Sequence, residues 1–230
     1  MFEDDRFSYL EFNRNVNRLA NALLHIGIKK GDHIATLLPN CLELLEIYWA
    51  VAKIGAVVVP LSTLLLGKGL KSLLVDADTK TIITYSGFVP TLEEIRPALT
   101  DIAPDRFLVT DASDMSNYQS YHVLKERASD SEPEEIEIND NDPYNLIYSS
   151  GTTGEPKGII HTHLIRSMYC ALFASTFRMT PESVTLHTGS IIFNGAFVML
   201  MPTFFSGATY ILQKQFDAEA FIETVEKEKV

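Results

Sequence analysis

The sequence predicts an α/β protein, with mostly parallel sheets flanked by helices. Three observations carry this. Between His33 and Thr110, short apolar or β-branched runs alternate with segments of helical length, the pattern of strand–helix–strand crossovers in a parallel sheet. Ala56 to Pro60 is an unbroken apolar run, as a strand covered on both faces requires. The chain has 230 residues, 46% of them hydrophobic and 21% charged, enough for a sizeable core.

Each element has a local reason. Ser8-Tyr9-Leu10-Glu11 is a capping box and starts a helix. Leu10, Val16, Leu19, Ala20, Leu23 and Leu24 give it an apolar stripe, and Gly27 stops it. A strand follows over His33–Leu38. Pro39-Asn40 ends it, and Asn40 is expected to cap a helix over Cys41–Ile54. Only Glu43, Glu46 and Lys53 are charged in that helix, so it should be covered on most sides. Gly55 ends it before the strand Ala56–Pro60. Helices over Leu66–Val75 and Thr91–Leu99 then alternate with strands over Thr81–Tyr85 and Arg106–Thr110.

Asp130 to Asp142 is the one composition break, with seven acidic residues in it. It reads as a solvated linker near 130–142. The expected division is a first α/β lobe over 1–140 and a second lobe over 141–230. In the second lobe a strand over Asn145–Ser149 precedes the short apolar pair Ile159-Ile160, and a helix starts near His163. Val184–His187, Ala196–Phe205, Ala208–Leu212 and Ala218–Lys227 read as strand, helix, strand and helix.

Composition excludes some functions. A net charge of −11 argues against nucleic acid and against an anionic membrane surface. Ser183 to Gln213 carries no charged residue, but Gly189, Asn194, Gly195, Pro202 and Gly207 interrupt it. A spanning helix needs about 20 mostly apolar residues in a row, so no transmembrane segment is expected. Cys41 and Cys170 lack metal-like spacing and read as reduced thiols, which points to a cytoplasmic protein. The acidic start, Met1 to Arg6, has no signal-peptide core.

The densest chemical signal is Leu146 to Gly158, LIYSSGTTGEPKG. Glycines let backbone N–H groups approach a ligand, hydroxyls add donors, and lysine adds a mobile positive charge. Together they suit a polyphosphate. The spacing fits neither the Walker pattern nor the dinucleotide glycine pattern.

Tyr148 to Gly158 resembles the phosphate-binding loop of the AMP-forming adenylating enzymes. These include acyl- and aryl-CoA synthetases, firefly luciferase and peptide-synthetase adenylation domains. The family pattern is Tyr/Phe-Thr/Ser-Ser-Gly-Thr/Ser-Thr-Gly-x-Pro-Lys-Gly, and every position matches. The first half of the chain is similar too, through Asn17 to Leu23, Lys30-Gly31-Asp32, Leu38-Pro39-Asn40 and Ala50 to Leu61 in that order.

The resemblance implies two sheet-bearing lobes of an adenylate-forming N-terminal domain. It implies a reaction in which a carboxylic acid and ATP give an acyl-adenylate, and coenzyme A then takes the acyl group as a thioester. Magnesium would accompany ATP. Ser149, Ser150, Gly151, Thr152, Thr153 and Gly154 would hold the β- and γ-phosphates, and Lys157 would neutralise their charge. Phe193, Asn194 and Gly195 fall where many relatives have an aromatic-histidine motif lining the acyl pocket. The histidine is not kept; Phe193 or Asn194 stands in its place. An aromatic, apolar wall suits a fatty or aromatic acid. His161 and His163 are too few for a resident metal site, and a packing or capping role is expected of them.

The family's later Tyr-Gly-x-Thr-Glu and Thr-Gly-Asp segments, and its small C-terminal domain with a catalytic lysine, do not occur in this sequence. The sequence therefore resembles a truncated piece of the family, inactive in adenylation by itself. Apolar surface left bare by truncation is expected to make a homo-oligomer, built partly from Ser183–Leu212. Two rivals remain. An amino-acid-activating adenylation domain usually carries an early pocket aspartate, and none lies between Ser183 and Gln213. A non-catalytic nucleotide-binding or interaction module would bind ATP without turnover.

Overall fold

The structure, a computed structural model, describes residues 1–3, 5–149 and 156–230. In chain order its elements are α1 (Tyr9–His25), β1 (His33–Leu37), α2 (Leu42–Ile54), β2 (Val57–Pro60), α3 (Gly67–Asp76), β3 (Thr79–Thr84), α4 (Val89–Ile95), β4 (Phe107–Val109), β5 (Gln119–Ser120), α5 (Tyr121–Glu126), β6 (Pro143–Ser149), β7 (Lys157–Thr162), α6 (His163–Thr176), β8 (Val184–His187), α7 (Asn194–Phe205), β9 (Thr209–Leu212) and α8 (Ala218–Glu228).

A seven-stranded sheet has the order β5-β4-β3-β1-β2-β6-β7, and β8 pairs with β9 in a separate two-stranded sheet. Every pairing is parallel except β6 with β7. The two-residue period of the strands sorts the core. Ile34, Val58, Ile83 and Leu108 face one layer, with Leu19 and Leu23 of α1 and Ile47 and Val51 of α2. Ala35, Val57, Val59, Ile82 and Phe107 face the other, with Leu70 and Leu74 of α3 and Leu92 of α4.

The start of α1 is built as the capping box requires. The Glu11 amide donates to Ser8 Oγ, and the Ser8 amide donates to Glu11 Oε2 at 2.8 Å. Gly55 closes α2 in the left-handed region at φ 65°. The expected fourth helix is split, because Pro97 breaks the helical ladder and Arg96–Ala98 tightens into a 3-10 turn.

The acidic stretch is largely exposed, as a solvated segment should be, but it is also tethered. It is a strap along α1 and α2. Glu132 accepts from Asn13, Asn17 and Lys53, and Asn21 donates to the carbonyls of Ser129 and Ser131. The Lys53 ammonium, with the Asn13 and Asn17 amides, holds the Glu132 carboxyl down to about 2. Lys30 pairs with Asp142 at 2.7 Å. Asp130, Glu132 and Asp142 are held by basic groups, while Glu134, Glu135, Glu137 and Asp140 are exposed. The strap also does not separate two sheets: β6 follows it and pairs with β2 at Val58 and Asn145. The larger sheet thus runs past residue 140, and the change of sheet comes between β7 and β8.

Candidate functional site

β6 and β7 set the geometry of the phosphate motif. They pair antiparallel in the register Ile147–Ile159, Tyr148–Gly158 and Ser149–Lys157. Directly opposed residues share a face of a sheet, so Ser149 and Lys157 project to the same side. Both are exposed. Tyr148 anchors the end of β6 to α3 by donating its hydroxyl to Asp76 Oδ2 at 2.5 Å. Burial and the Asp76 carboxylate raise the Tyr148 phenol above its ordinary value. Gly158 has a packing reason, since a Cβ there would stand 2.8 Å from Leu146 Cδ1. Ser150, Gly151, Thr152, Thr153 and Gly154 lie outside the described residues.

The expected acid-pocket segment opens α7. Phe193 is its N-cap residue and is 53% exposed, while Asn194 and Gly195 are its first two residues. An added Cβ at Gly195 would meet nothing within 4 Å, so this corner is open. The backbone leading into it is fixed from below. Asn40 Oδ1 accepts from the Ile191 amide at 2.9 Å, and its Nδ2 donates to the carbonyls of Gly189 and Gln213 at 2.7 and 3.0 Å. Tyr48 adds a hydroxyl to the Ile191 carbonyl at 2.9 Å. Asn40 is therefore a clamp on the pocket segment, not the expected helix cap; Cys41 occupies the N-cap position of α2.

Arg166 joins the two halves of the site. Its side chain is almost wholly buried, at 2% exposure. Nε donates to Asn145 Oδ1 on β6 at 3.0 Å, and Nη1 donates to Asn194 Oδ1 on α7 at 3.0 Å. The guanidinium lies 4.0 Å from the Phe197 ring centroid and 5.0 Å from that of Tyr169. Desolvation pulls it down to about 10, so it stays charged at neutral pH.

His161 and His163 fill packing positions. His163 begins α6, with Thr162 as the N-cap, and meets the Tyr144 ring edge-to-face at 5.5 Å. His161 is buried opposite Asn145 in the β6–β7 register. Desolvation, and then the Arg166 charge, hold its imidazole down to about 4.

The phosphate-motif ends and the pocket segment are thus linked through α6. Sequence reasoning missed Arg166 and Asn145. A signal existed: Arg166 is the one Asp, Glu, Lys or Arg in the fourteen residues of α6. A cavity of about 610 Å³ lies elsewhere, lined by Met1, Arg6, Gln213, Thr224, Lys227 and Glu228, and touches none of the expected site residues among those described. Among the described residues no group of three or more His, Cys, Asp or Glu could hold a metal, and no helix is long and apolar enough to cross a membrane. Chemically, the strand ends present a lysine and a hydroxyl that suit an anion, and the start of α7 is a separate, open aromatic corner.

Known proteins match this chain over nearly its whole length. The family model described as AMP-binding enzyme matches residues 1–230. The chain is 31% identical over 229 residues to the long-chain-fatty-acid–CoA ligase FadD13 of Mycobacterium tuberculosis, covering 99% of this chain and 44% of that protein. It is 29% identical over 225 residues to the crotonobetaine/carnitine–CoA ligase of Salmonella agona, covering 96% and 43%. Among solved structures, the inhibitor-bound N-terminal domain of FACL13 from Mycobacterium tuberculosis superposes with a TM-score of 0.86 at 29% identity, covering 99% of this chain and 55% of that one. The chain thus spans about 44% of the length of the curated relatives it matches.

Proposed function

The chain belongs to the AMP-binding enzyme family, and from that premise we propose that it supplies the phosphate-holding part of an ATP-dependent acyl-CoA ligase. The parent reaction joins a carboxylate to the α-phosphate of ATP, releases pyrophosphate, and passes the acyl group to coenzyme A. A fatty or aromatic acid is the proposed substrate class. The observation that carries this reading is the pairing of Ser149 with Lys157 across the strand ends, at the two ends of a complete phosphate motif.

Two anions must meet in the first step, so catalysis depends on cations and donors at the phosphates. Lys157 neutralises charge on the β- and γ-phosphates as pyrophosphate leaves. Ser149, with Ser150, Gly151, Thr152, Thr153 and Gly154, donates to the same oxygens. Phe193, Asn194 and Gly195 line the acid side. Magnesium would ride on the nucleotide phosphates, which supply oxygen ligands that Lys157 and Ser149 leave free. A cytoplasmic setting and a role in lipid metabolism fit the substrate class.

The test is acid-dependent ATP–pyrophosphate exchange. The chain itself lacks the adenine-reading and ribose-holding motifs and should show none. Joined in frame to the remaining portion of the FadD13 relative, it should show exchange with fatty or aromatic acids, and Lys157→Ala should lower it at least a hundredfold. Exchange that ignores Lys157 would overturn the assignment.

A further inference from the structure

Arg166 carries a charge that the Phe197 and Tyr169 ring faces offset only in part, with no carboxylate among the described residues beside it. Its hydrogen-bond partners are two neutral amides, Asn145 and Asn194. None of the ion pairs among the described residues includes it. A buried, unpaired guanidinium costs several kcal/mol. Its Nη2 has no hydrogen-bond partner among the described residues, and neither do Asn145 Nδ2 and His161 Nδ1. Asn145 and His161 are themselves 0% and 7% exposed. They face each other in the β6–β7 register, and Arg166 bonds to Asn145. Native proteins seldom leave buried donors unsatisfied, and several in one cluster mark a place that something fills.

We infer that Arg166, Asn145 and His161 form a buried carboxylate subsite at the inner wall of the acid pocket, and that the acid bound there carries a second carboxylate. This rests on the adenylation reading above and narrows its substrate class. A water molecule would satisfy the donors but leave the charge. A carboxylate satisfies both, because its two oxygens accept from the free guanidinium nitrogen and the free amide together. The subsite adjoins the pocket through Asn194, whose Oδ1 accepts from Arg166 Nη1. His161 is neutral at physiological pH and adds no competing charge.

The test uses two nucleoside probes on the isotope-labelled 230-residue chain, 5′-O-(N-glutarylsulfamoyl)adenosine and its pentanoyl counterpart. In both the reacting carboxyl is masked, so only the distal carboxylate of the glutaryl probe can reach Arg166. The NMR resonance of the Arg166 Nε–H is the readout. The glutaryl probe should move it saturably and bind at least tenfold tighter than the pentanoyl probe. Asn145→Asp supplies an internal carboxylate, so it should raise Tm and abolish the response, and Arg166→Met should abolish the tenfold preference. No movement with the glutaryl probe, equal movement with both probes, or a response that survives Asn145→Asp would overturn the subsite. Pyrophosphate titrated into the same sample reads the β6–β7 ends independently. Pyrophosphate binding together with no Arg166 response to the glutaryl probe sinks the subsite alone, and no pyrophosphate binding sinks the adenylation reading beneath it.

Discussion

Ser149 and Lys157 stand directly opposite each other at the ends of β6 and β7. Seven residues of sequence, 150–156, connect them, and those residues carry the hydroxyls and glycines of the phosphate motif. The strands below are held by Tyr148 on Asp76 and by Leu146 packed against Gly158. The sheet thus fixes where the motif begins and ends, and places its lysine and first serine on one face.

Asn40 holds the backbone that leads into the proposed acid-pocket segment. Its three hydrogen bonds reach Gly189, Ile191 and Gln213. Asn40→Ala leaves the buried Ile191 amide without its partner. A loss of about 2–3 kcal/mol is expected in urea unfolding. Amide exchange should also quicken at Ile191. A variant as stable as the parent would show that the clamp is incidental.

Glu46 is a wholly buried carboxylate held by Lys125 at 2.7 Å and by the Tyr121 hydroxyl at 2.6 Å. Removing the cation strands the charge. Lys125→Met should cost about 3–5 kcal/mol. Adding Glu46→Gln to it should restore part of that loss, because the buried charge is then gone. Thermal unfolding of the two variants compares them, and a double variant no better than the single would contradict the account.

Acid should act through His161. Its folded value, about 4, lies below the ordinary 6.5. Above 6.5 both states are neutral at this position. Between 6.5 and about 4 the unfolded chain takes a proton that the folded one refuses. Stability therefore falls as pH drops through that window, by up to about 1.4 kcal/mol per unit. His163 and His187 are lowered by burial and add in the same direction. His161→Gln should flatten the slope of urea stability between pH 6.5 and 4.5. An unchanged slope would assign the acid sensitivity elsewhere.

Self-association is expected, and the structure adds a second exposed surface to the one the sequence suggests. Ile191, Ile192, Phe197, Leu200 and Leu212 are buried, because α7 packs against α2 and α6. Phe193 and Phe205 stay exposed within that segment, and a further exposed apolar stripe is formed by Ile159 and Ile160 on β7 and by Leu164, Met168 and Leu172 one turn apart on α6. Such a stripe favours association. We propose a homo-oligomer through it. Sedimentation should show dimers well above micromolar concentration, and Leu164→Glu with Leu172→Glu should return a monomer. A parent that is monomeric throughout would contradict this.

What could be read from the sequence followed from local chemistry. The capping box at Ser8 and Glu11, the left-handed Gly55 and the alternating strands all act over a few residues, and all are visible as spacing. The expectation of an α/β fold with a mostly parallel sheet follows from them. Long-range matters were not legible. Asn40 reads as a cap locally, yet its partners lie about 150 residues on. The acidic strap reads as solvated, because its partners on α1 are over 100 residues away and Lys53 on α2 is 79 away. α5 is six residues long, too short for a helical period to register. β7 hid behind the pair Ile159-Ile160, because both faces of this edge strand are exposed over its first four residues and no burial selects an alternation.

The most direct test of the central claim is pyrophosphate binding to the 230-residue chain, measured calorimetrically beside Lys157→Ala. Lys157 is exposed, so the substitution should leave the fold and Tm intact. The account predicts saturable binding in the parent, in the millimolar range or tighter, about −4 kcal/mol or more favourable. It predicts at least a tenfold loss in the variant, as expected for a removed charge-assisted contact. Equal binding by parent and variant, or none by either, would contradict it.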